Sequence, residues 1–265
     1  FTGILYEHGG NILNIEQHVE SEEDLFFMRI HVDLRKMDIS EKALHEILMV
    51  QVKKMDANIQ FYYPKNRQRL AIFVTKEFAP LYDLLIKHQS GELACEIPCI
   101  ISNHEDLSEI ASQFSIPYHH FPVSTSTKAE QEELINKLME DEKIDLVVLA
   151  RYMQVLSNEF VAKYQGKIIN IHHGFLPAFK GKSPYRQAWE RGVKMIGATA
   201  HYVTNELDAG PIIEQDVVPV NHQHSVKEMI QAGRDIERRV LTASVKAHLE
   251  HRIILDGQRT IIFHA

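Results

Sequence analysis

The spacing of apolar residues changes near residue 64, and this change divides the chain into two regions. The first region predicts a helix end, two strands, a helix and a third strand, in the order αββαβ. Its helix is predicted from Ser40 to about Met55, with Ser40 as the N-cap, because apolar residues recur there at helical spacing. Its strands are predicted at residues 11–19, 24–34 and 57–64. Residues 1–63 therefore predict a small α+β domain.

Beyond a polar linker at residues 64–68, short apolar strands alternate with helical stretches. The strands are predicted at residues 69–76, 96–102, 119–123, 145–153 and 167–173. Such alternation is typical of a parallel sheet covered on both faces, which binds its ligands at the carboxyl ends of strands. Residues 69–265 therefore predict one doubly wound α/β domain.

The last part of this domain continues the sheet and then adds a long helix. Strands are predicted at residues 196–203 and 212–220, separated by the irregular stretch NELDAGP. A helix is predicted from Ser225 to about Leu249, since Ser225 and Glu228 fit a capping box. Asp256-Gly257, between two apolar runs, predicts a two-residue hairpin.

Composition and charge narrow the classes of partner. The 265 residues are 45% hydrophobic and carry a net charge of −7, which disfavours nucleic acid and anionic membrane surfaces as partners. No apolar run is long enough for a membrane span, and no signal peptide is visible, so a cytoplasmic protein is expected. Cys95 and Cys99 lie on a predicted strand and indicate a reducing compartment rather than a metal site.

The stretch IINIHHGFLPAFKGKS, residues 168–183, carries candidate chemistry of three kinds. A phosphate-binding loop is disfavoured, because six residues separate Gly174 from Gly181 where four are needed, and Pro184 follows the Gly-Lys-Ser. Ser183 and Pro184 fit an N-cap and a first helical residue instead. A metal site is disfavoured too, because adjacent residues on a strand point to opposite faces. The third possibility is a catalytic strand end.

Strand alternation places Asn170 and His172 on one side, with His173 on the other. An amide and an imidazole side by side can stabilise an oxyanion and move a proton, although a buried pair bonded to backbone fits the pattern equally. Asp208 follows the strand that contains His201, and its carboxylate could orient His172 or a water. An Asx-turn role for Asp208 remains the alternative.

Three segments, DLVVLARYMQVLS, NIHHGFLPAFKG and GATAHYVTNELDAGPIIEQ, resemble the folate-dependent formyltransferases in order and spacing from about residue 69 onwards. The resemblance implies a Rossmann-like formyltransferase domain with Asn170, His172 and Asp208 as catalytic residues and His201 as a supporting one. It places folate contacts on Met153, Gln154, Val155, Leu156, Leu207, Ala209 and Gly210.

Within that family the chain is most similar to the deformylase branch, on HHxFLPAF, PYRQAW and HLEHRIILDGQRTIIF. That branch implies hydrolysis of 10-formyltetrahydrofolate to formate and tetrahydrofolate, which supplies formate for purine synthesis and balances the one-carbon folate pools. No permanently bound cofactor and no metal are expected. The glycine-rich phosphate loop of glycinamide ribonucleotide formyltransferases is replaced by VTKEFAPLYDLL. Formyl transfer to an amine acceptor remains the alternative, and a silent folate sensor is a third hypothesis.

Residues 1–63 resemble an ACT domain whose first strand is missing. ACT-like modules pair, which implies a homo-oligomer, a dimer or a tetramer. The resemblance also implies an amino-acid effector, with contacts at Gly9, Gly10, Asn11 and Ile12. The sequence departs from the family pattern at two positions. Family members often have serine at the position of Gly174 and a histidine near the position of Phe78.

Overall fold

The computed structural model describes residues 1–124 and 127–264. The chain divides into two compact units. The first comprises Phe1–Asn66 together with Phe263 and His264, and the second comprises Arg67–Ile262. Among the described residues, no helix combines the length and the apolar composition needed to cross a membrane.

The first unit is an antiparallel two-stranded ribbon packed with two helices. Ser40 is the N-cap of the longer helix, as its sequence predicts, and its side chain accepts a hydrogen bond from the backbone N–H of Ala43 at 3.2 Å. Leu5, Leu44 and Leu48 form the buried centre of this unit. Its elements are α1 (Thr2–Glu7), β1 (Asn11–Glu20), β2 (Leu25–Asp33) and α2 (Glu41–Lys54).

The prediction of a strand at residues 57–64 is wrong, because this segment pairs with no strand. Its alternating aromatic residues pack on a helix instead. The ring of Phe61 stacks on that of His45 with a centroid distance of 3.8 Å, and the hydroxyl of Tyr63 lies 2.6 Å from His45 Nε2. An alternation that looks like a half-buried strand therefore arises from contacts with α2.

The second unit is an α/β fold built on one seven-stranded sheet of order β5-β4-β3-β6-β7-β8-β9. The strands β5, β4, β3, β6 and β7 are parallel to one another, whereas β8 is antiparallel to both of its neighbours, β7 and β9. The strand order reverses between β3 and β6. The elements are β3 (Arg69–Val74), α3 (Ala79–Gln89), β4 (Glu96–Ser102), α4 (Ser108–Gln113), β5 (Tyr118–His120), α5 (Lys128–Asp141), β6 (Leu146–Leu149), α6 (Asn158–Lys163), β7 (Ile168–His172), α7 (Pro184–Glu190), β8 (Met195–Tyr202), β9 (Ile212–Pro219), α8 (Val226–Leu249), β10 (Ile253–Asp256) and β11 (Arg259–Ile262).

Helices cover both faces of this sheet, as the apolar strands predict. Alternate residues of β3 enter different cores: Leu70, Ile72 and Val74 pack with α3 and α8, whereas Ala71 and Phe73 pack with α5 and α6. The middle strands are therefore buried on both sides and are fixed in place. Their carboxyl ends can carry side chains in accurate positions.

Two local predictions at the end of the chain have different outcomes. The capping box is confirmed, since Ser225 and Glu228 satisfy each other's backbone N–H groups at the start of α8. The hairpin is present, but Asp256 pairs with Arg259, so the two-residue loop is Gly257-Gln258. Gly257 has a positive φ of 57°, which explains why the glycine, and not Asp256, opens the turn.

Candidate active site

Four polar side chains share one face at the carboxyl end of β7. Ile169 and Ile171 enter the core beneath α8, so Asn170 and His172 project to the other face, as alternation predicts. On the antiparallel neighbour β8, His201 pairs with Asn170, and Thr199 pairs with His172. The pairing brings an amide, two imidazoles and a hydroxyl together.

His201 orients the amide of Asn170. Its Nδ1 lies 2.9 Å from the carbonyl oxygen of Tyr202, which can only accept, so Nδ1 carries the proton. Burial lowers the pKa of His201, and the neutral ring therefore has an unprotonated Nε2. This nitrogen accepts a hydrogen bond from Asn170 Nδ2 at 3.2 Å. The second N–H of the amide remains available for a ligand.

Asp208 approaches both histidines from the loop after β8. Its Oδ1 lies 3.4 Å from His172 Nδ1 and 3.9 Å from His201 Nε2, and its Oδ2 accepts the backbone N–H of Gly181 at 3.0 Å. Burial acts to raise the pKa of Asp208, but the hydrogen bond and charge of His172 outweigh it, so the pKa is lowered. The carboxylate is therefore ionised at neutral pH.

Both ring nitrogens of His172 face acceptors. Nε2 donates to the carbonyl oxygen of Phe179 at 2.8 Å, and Nδ1 faces Asp208. Only the doubly protonated ring can donate on both sides. Space at Gly174 is tight, since a Cβ there would lie 2.8 Å from Pro184 Cβ, 3.0 Å from His172 Nε2 and 3.1 Å from the carbonyl oxygen of Phe179. This departure from the family pattern is part of the packing around His172.

The structure corrects two expectations for residues 173–183. His173 follows the last residue of β7, and its ring centroid is only 5.5 Å from that of His172, so it does not lie on the opposite face. Alternation ends where the strand ends. Pro184 begins α7 as predicted, but Ser183 has a positive φ of 54° and its side chain makes no capping hydrogen bond.

The predicted folate contacts lie on two loops beside these residues. The first loop follows β6 and contains Met153, Gln154, Val155 and Leu156, and the second follows β8 and contains Leu207, Ala209 and Gly210. Leu156, at the end of the first loop, and Val203, at the start of the second, pack on the same core cluster. The side chains of Met153, Val155 and Leu207 are more than half exposed. An apolar surface thus borders the polar group.

The candidate effector residues belong to the first unit. Gly9 and Gly10 form the turn after α1, where the N–H of Gly10 donates to the carbonyl oxygen of Leu5 at 2.7 Å. Asn11 begins β1, and Ile12 packs in the core of that unit. Within the described residues, no group of three or more histidine, cysteine or acidic side chains is placed to hold a metal ion.

Thr199 and Gln215 belong to the site, although no sequence motif indicates them. The hydroxyl of Thr199 donates to the carbonyl oxygen of Gly174 at 2.9 Å and accepts hydrogen bonds from Leu176 N at 3.0 Å and Gln215 Nε2 at 2.9 Å. Gln215 also donates to the carbonyl oxygen of Leu176 at 2.9 Å. The two side chains fix the loop that follows His172.

Replacing Thr199 by valine should destabilise the second unit by about 2 kcal/mol or more, because each buried polar group left unpaired costs about 1–3 kcal/mol. Urea unfolding followed by circular dichroism measures the change. Thr199→Ser keeps the hydroxyl and should retain most of the stability. If valine were no more destabilising than serine, the hydrogen bonds of the hydroxyl would not contribute the expected stability.

A buried ion pair lies next to His173. Arg151 NH1 contacts Glu237 Oε2 at 2.9 Å, and the hydroxyl of Tyr185 donates to Glu237 Oε1 at 2.6 Å. Burial raises the pKa of Glu237, against the opposing charge of Arg151. Gly233 of α8 permits this contact, because a Cβ there would lie 2.0 Å from the Tyr185 hydroxyl oxygen. Three separate elements are thereby joined behind the site.

The chain is similar to known proteins over almost its whole length. A family model described as formyl transferase matches residues 68–245. The formyltetrahydrofolate deformylase of Synechocystis sp. is 46% identical over 98% of this chain and 91% of its own length. That of Bacillus subtilis is 42% identical over 99% of this chain and 88% of its own length. The crystal structure of a formyltetrahydrofolate deformylase from Pseudomonas syringae matches with a TM-score of 0.96 and 39% identity, covering 99% of this chain and 88% of that one.

Proposed function

This chain belongs to the formyltetrahydrofolate deformylase family and is a hydrolase, and we propose that Asn170, His172 and Asp208 catalyse its reaction. In that reaction, 10-formyltetrahydrofolate and water give formate and tetrahydrofolate. The convergence of Asp208 Oδ1 on His172 Nδ1, beside an amide with one free N–H, carries the proposal. The formate and tetrahydrofolate released would supply purine synthesis and the one-carbon folate pools, as the resemblance implies.

Asn170 supplies a donor for the oxyanion that forms when water attacks the formyl carbon. One N–H of its amide is held by His201, so the other has a fixed direction. A donor that is already oriented stabilises developing charge without reorganising during the reaction. His201 is thus a supporting residue that acts through Asn170.

Asp208 and His172 handle the protons. As the water oxygen bonds to the formyl carbon, one water proton passes to the Asp208 carboxylate. His172 keeps its Nε2–H on the carbonyl oxygen of Phe179 and uses the Nδ1–H on the Asp208 side, which donates to the oxyanion and then passes to the folate N10 as the C–N10 bond breaks. Asp208 returns its proton to His172, and formic acid ionises to formate, which restores the enzyme.

The folate binds against the two loops described above. Met153, Val155 and Leu207 present exposed apolar side chains at the border of the polar group, which suits the aromatic rings of a folate. A ligand held there places its N10 end beside Asp208, since Leu207 is the adjacent residue. We therefore assign the folate to the surface formed by these two loops.

Formate release in the absence of any amine is the direct test. The purified protein incubated with 10-formyltetrahydrofolate should release formate in proportion to the tetrahydrofolate formed, and Asp208→Ala should lose at least about 100-fold in rate. Asp141→Ala, at an exposed aspartate that ends α5, is the matched control. A wild-type protein that gave no formate alone, but formylated glycinamide ribonucleotide when it was added, would instead be an amine formyltransferase.

A further inference from the structure

His173 is a second histidine at the end of β7 that the proposed proton transfers leave unused. Its ring lies between those of His172 and Tyr185, with centroid distances of 5.5 and 5.8 Å, and the residue is half-buried. Within residues 1–124 and 127–264, no group hydrogen-bonds to either ring nitrogen. These nitrogens are also not among the buried unpaired atoms, so water reaches them.

The neighbouring polar groups are already occupied. Nε2 of His172 donates to the carbonyl oxygen of Phe179 and Nδ1 lies 3.4 Å from Asp208 Oδ1, so both nitrogens face acceptors and neither is placed to accept a hydrogen bond from water. Asp208 Oδ2 accepts from Gly181, which leaves the carboxylate's Oδ1 side for the reaction. An attacking water must direct a lone pair at carbon, and this orientation requires acceptors for its two hydrogens. Asp208 supplies one acceptor, and a second is needed.

The surroundings of His173 keep its ring neutral, and they donate no hydrogen bond to it. Burial, followed by the charges of Arg151 and His172, lowers the pKa of His173 to about 3, against the weaker opposing effect of Asp208. The hydroxyl of Tyr185 and NH1 of Arg151 both bond to Glu237, so neither donates to His173. A neutral imidazole always retains one bare nitrogen that accepts hydrogen bonds.

We propose that His173 is a further catalytic residue, which accepts a hydrogen bond from the nucleophilic water and aims its oxygen at the formyl carbon. The proposal rests on the function proposed above. His173 takes no proton: one water hydrogen passes to Asp208, and the other stays on the oxygen that becomes part of formate. The Arg151–Glu237–Tyr185 cluster holds the histidine in this position. The second histidine of HHxFLPAF thereby acquires a distinct role.

Three variants separate the acceptor from the bulk of the side chain. His173→Leu keeps much of the volume and removes the acceptor, whereas His173→Asn and His173→Gln carry an amide oxygen near the positions of Nδ1 and Nε2 respectively. We expect His173→Leu to lower kcat for formate release by at least about tenfold, with KM for 10-formyltetrahydrofolate unchanged. The better of the two amide variants should recover at least half of that loss on a logarithmic scale.

A reduction smaller than tenfold in His173→Leu would overturn the role, as would Asn and Gln variants that are both as slow as Leu. Circular dichroism and thermal unfolding establish that each variant is folded, and His173→Ala replaces His173→Leu if the latter is not. The wild-type and Asp208→Ala assays report on the proposed function separately. If those assays behave as expected while the His173 series does not, only the role of His173 is wrong.

Discussion

Replacing Asn170 by alanine should lower kcat for formate release by about 100- to 1000-fold, the typical cost of losing one oxyanion donor. The side chain is held by His201 at 3.2 Å, so its free N–H has a defined direction, and water cannot reproduce it without reorganising. The proposed folate contacts are other residues, so KM should change little. The measurement is steady-state formate release under saturating 10-formyltetrahydrofolate.

Asn136→Ala is the matched control, because Asn136 lies on α5 and has no part in the proposed chemistry. It should retain the wild-type kcat. His201→Gln tests the orienting contact: a smaller loss than in Asn170→Ala is expected, because the amide of Asn170 is still present but less well directed. If Asn170→Ala released formate at the wild-type rate, the assignment of the oxyanion donor would be wrong.

Replacing Glu237 by alanine should destabilise the second unit by about 3–5 kcal/mol, because it leaves a largely buried guanidinium without its partner. The side chains of Arg151 and Glu237 are 18% and 2% exposed, and Tyr185 would lose its acceptor as well. Arg151 also has a positive φ of 64°, a conformation that its surroundings must maintain. Urea denaturation followed by circular dichroism reports the loss.

A second ion pair on the same helix provides the control. Arg234 NH2 contacts Glu77 Oε2 at 3.0 Å, but the arginine side chain is 46% exposed. Arg234→Ala should therefore cost less than about 1 kcal/mol. Glu237→Gln keeps an acceptor for Tyr185 and should fall between the two. Equal losses from Glu237→Ala and Arg234→Ala would mean that burial does not set the strength of the inner pair.

Most of the second unit could be predicted from sequence because its signals are local and agree with one another. Apolar strands such as Arg69–Val74 are buried on both faces, so no alternation is needed to identify them. The capping box at Ser225 fixes the start of α8 within one turn. The strand prediction for residues 57–64 was wrong for the opposite reason. Phe61 and Tyr63 alternate because both contact His45, which is distant in the sequence.

The site shows the same division. Asn170 and His172 follow from strand alternation, and Asp208 from its place after the strand of His201. Thr199 and Gln215 could not be found this way, because their roles depend on the antiparallel register between β7, β8 and β9. Phe179 and Gly181 contribute backbone groups, and the identity of a side chain does not indicate such a role. His173 was misplaced because alternation holds only within a strand.

The antiparallel pairing of β7 with β8 has a consequence for how the enzyme folds. Residues 170 to 208 contain Asn170 and His172 on β7, His201 on the adjacent strand β8, and Asp208 on the loop that follows. Parallel neighbours such as β3 and β6 are separated by far more of the chain, and closing such long loops slows folding. The proposed catalytic group therefore comes from one continuous segment, and we expect it to assemble without waiting for the long-range pairing of β3 with β6.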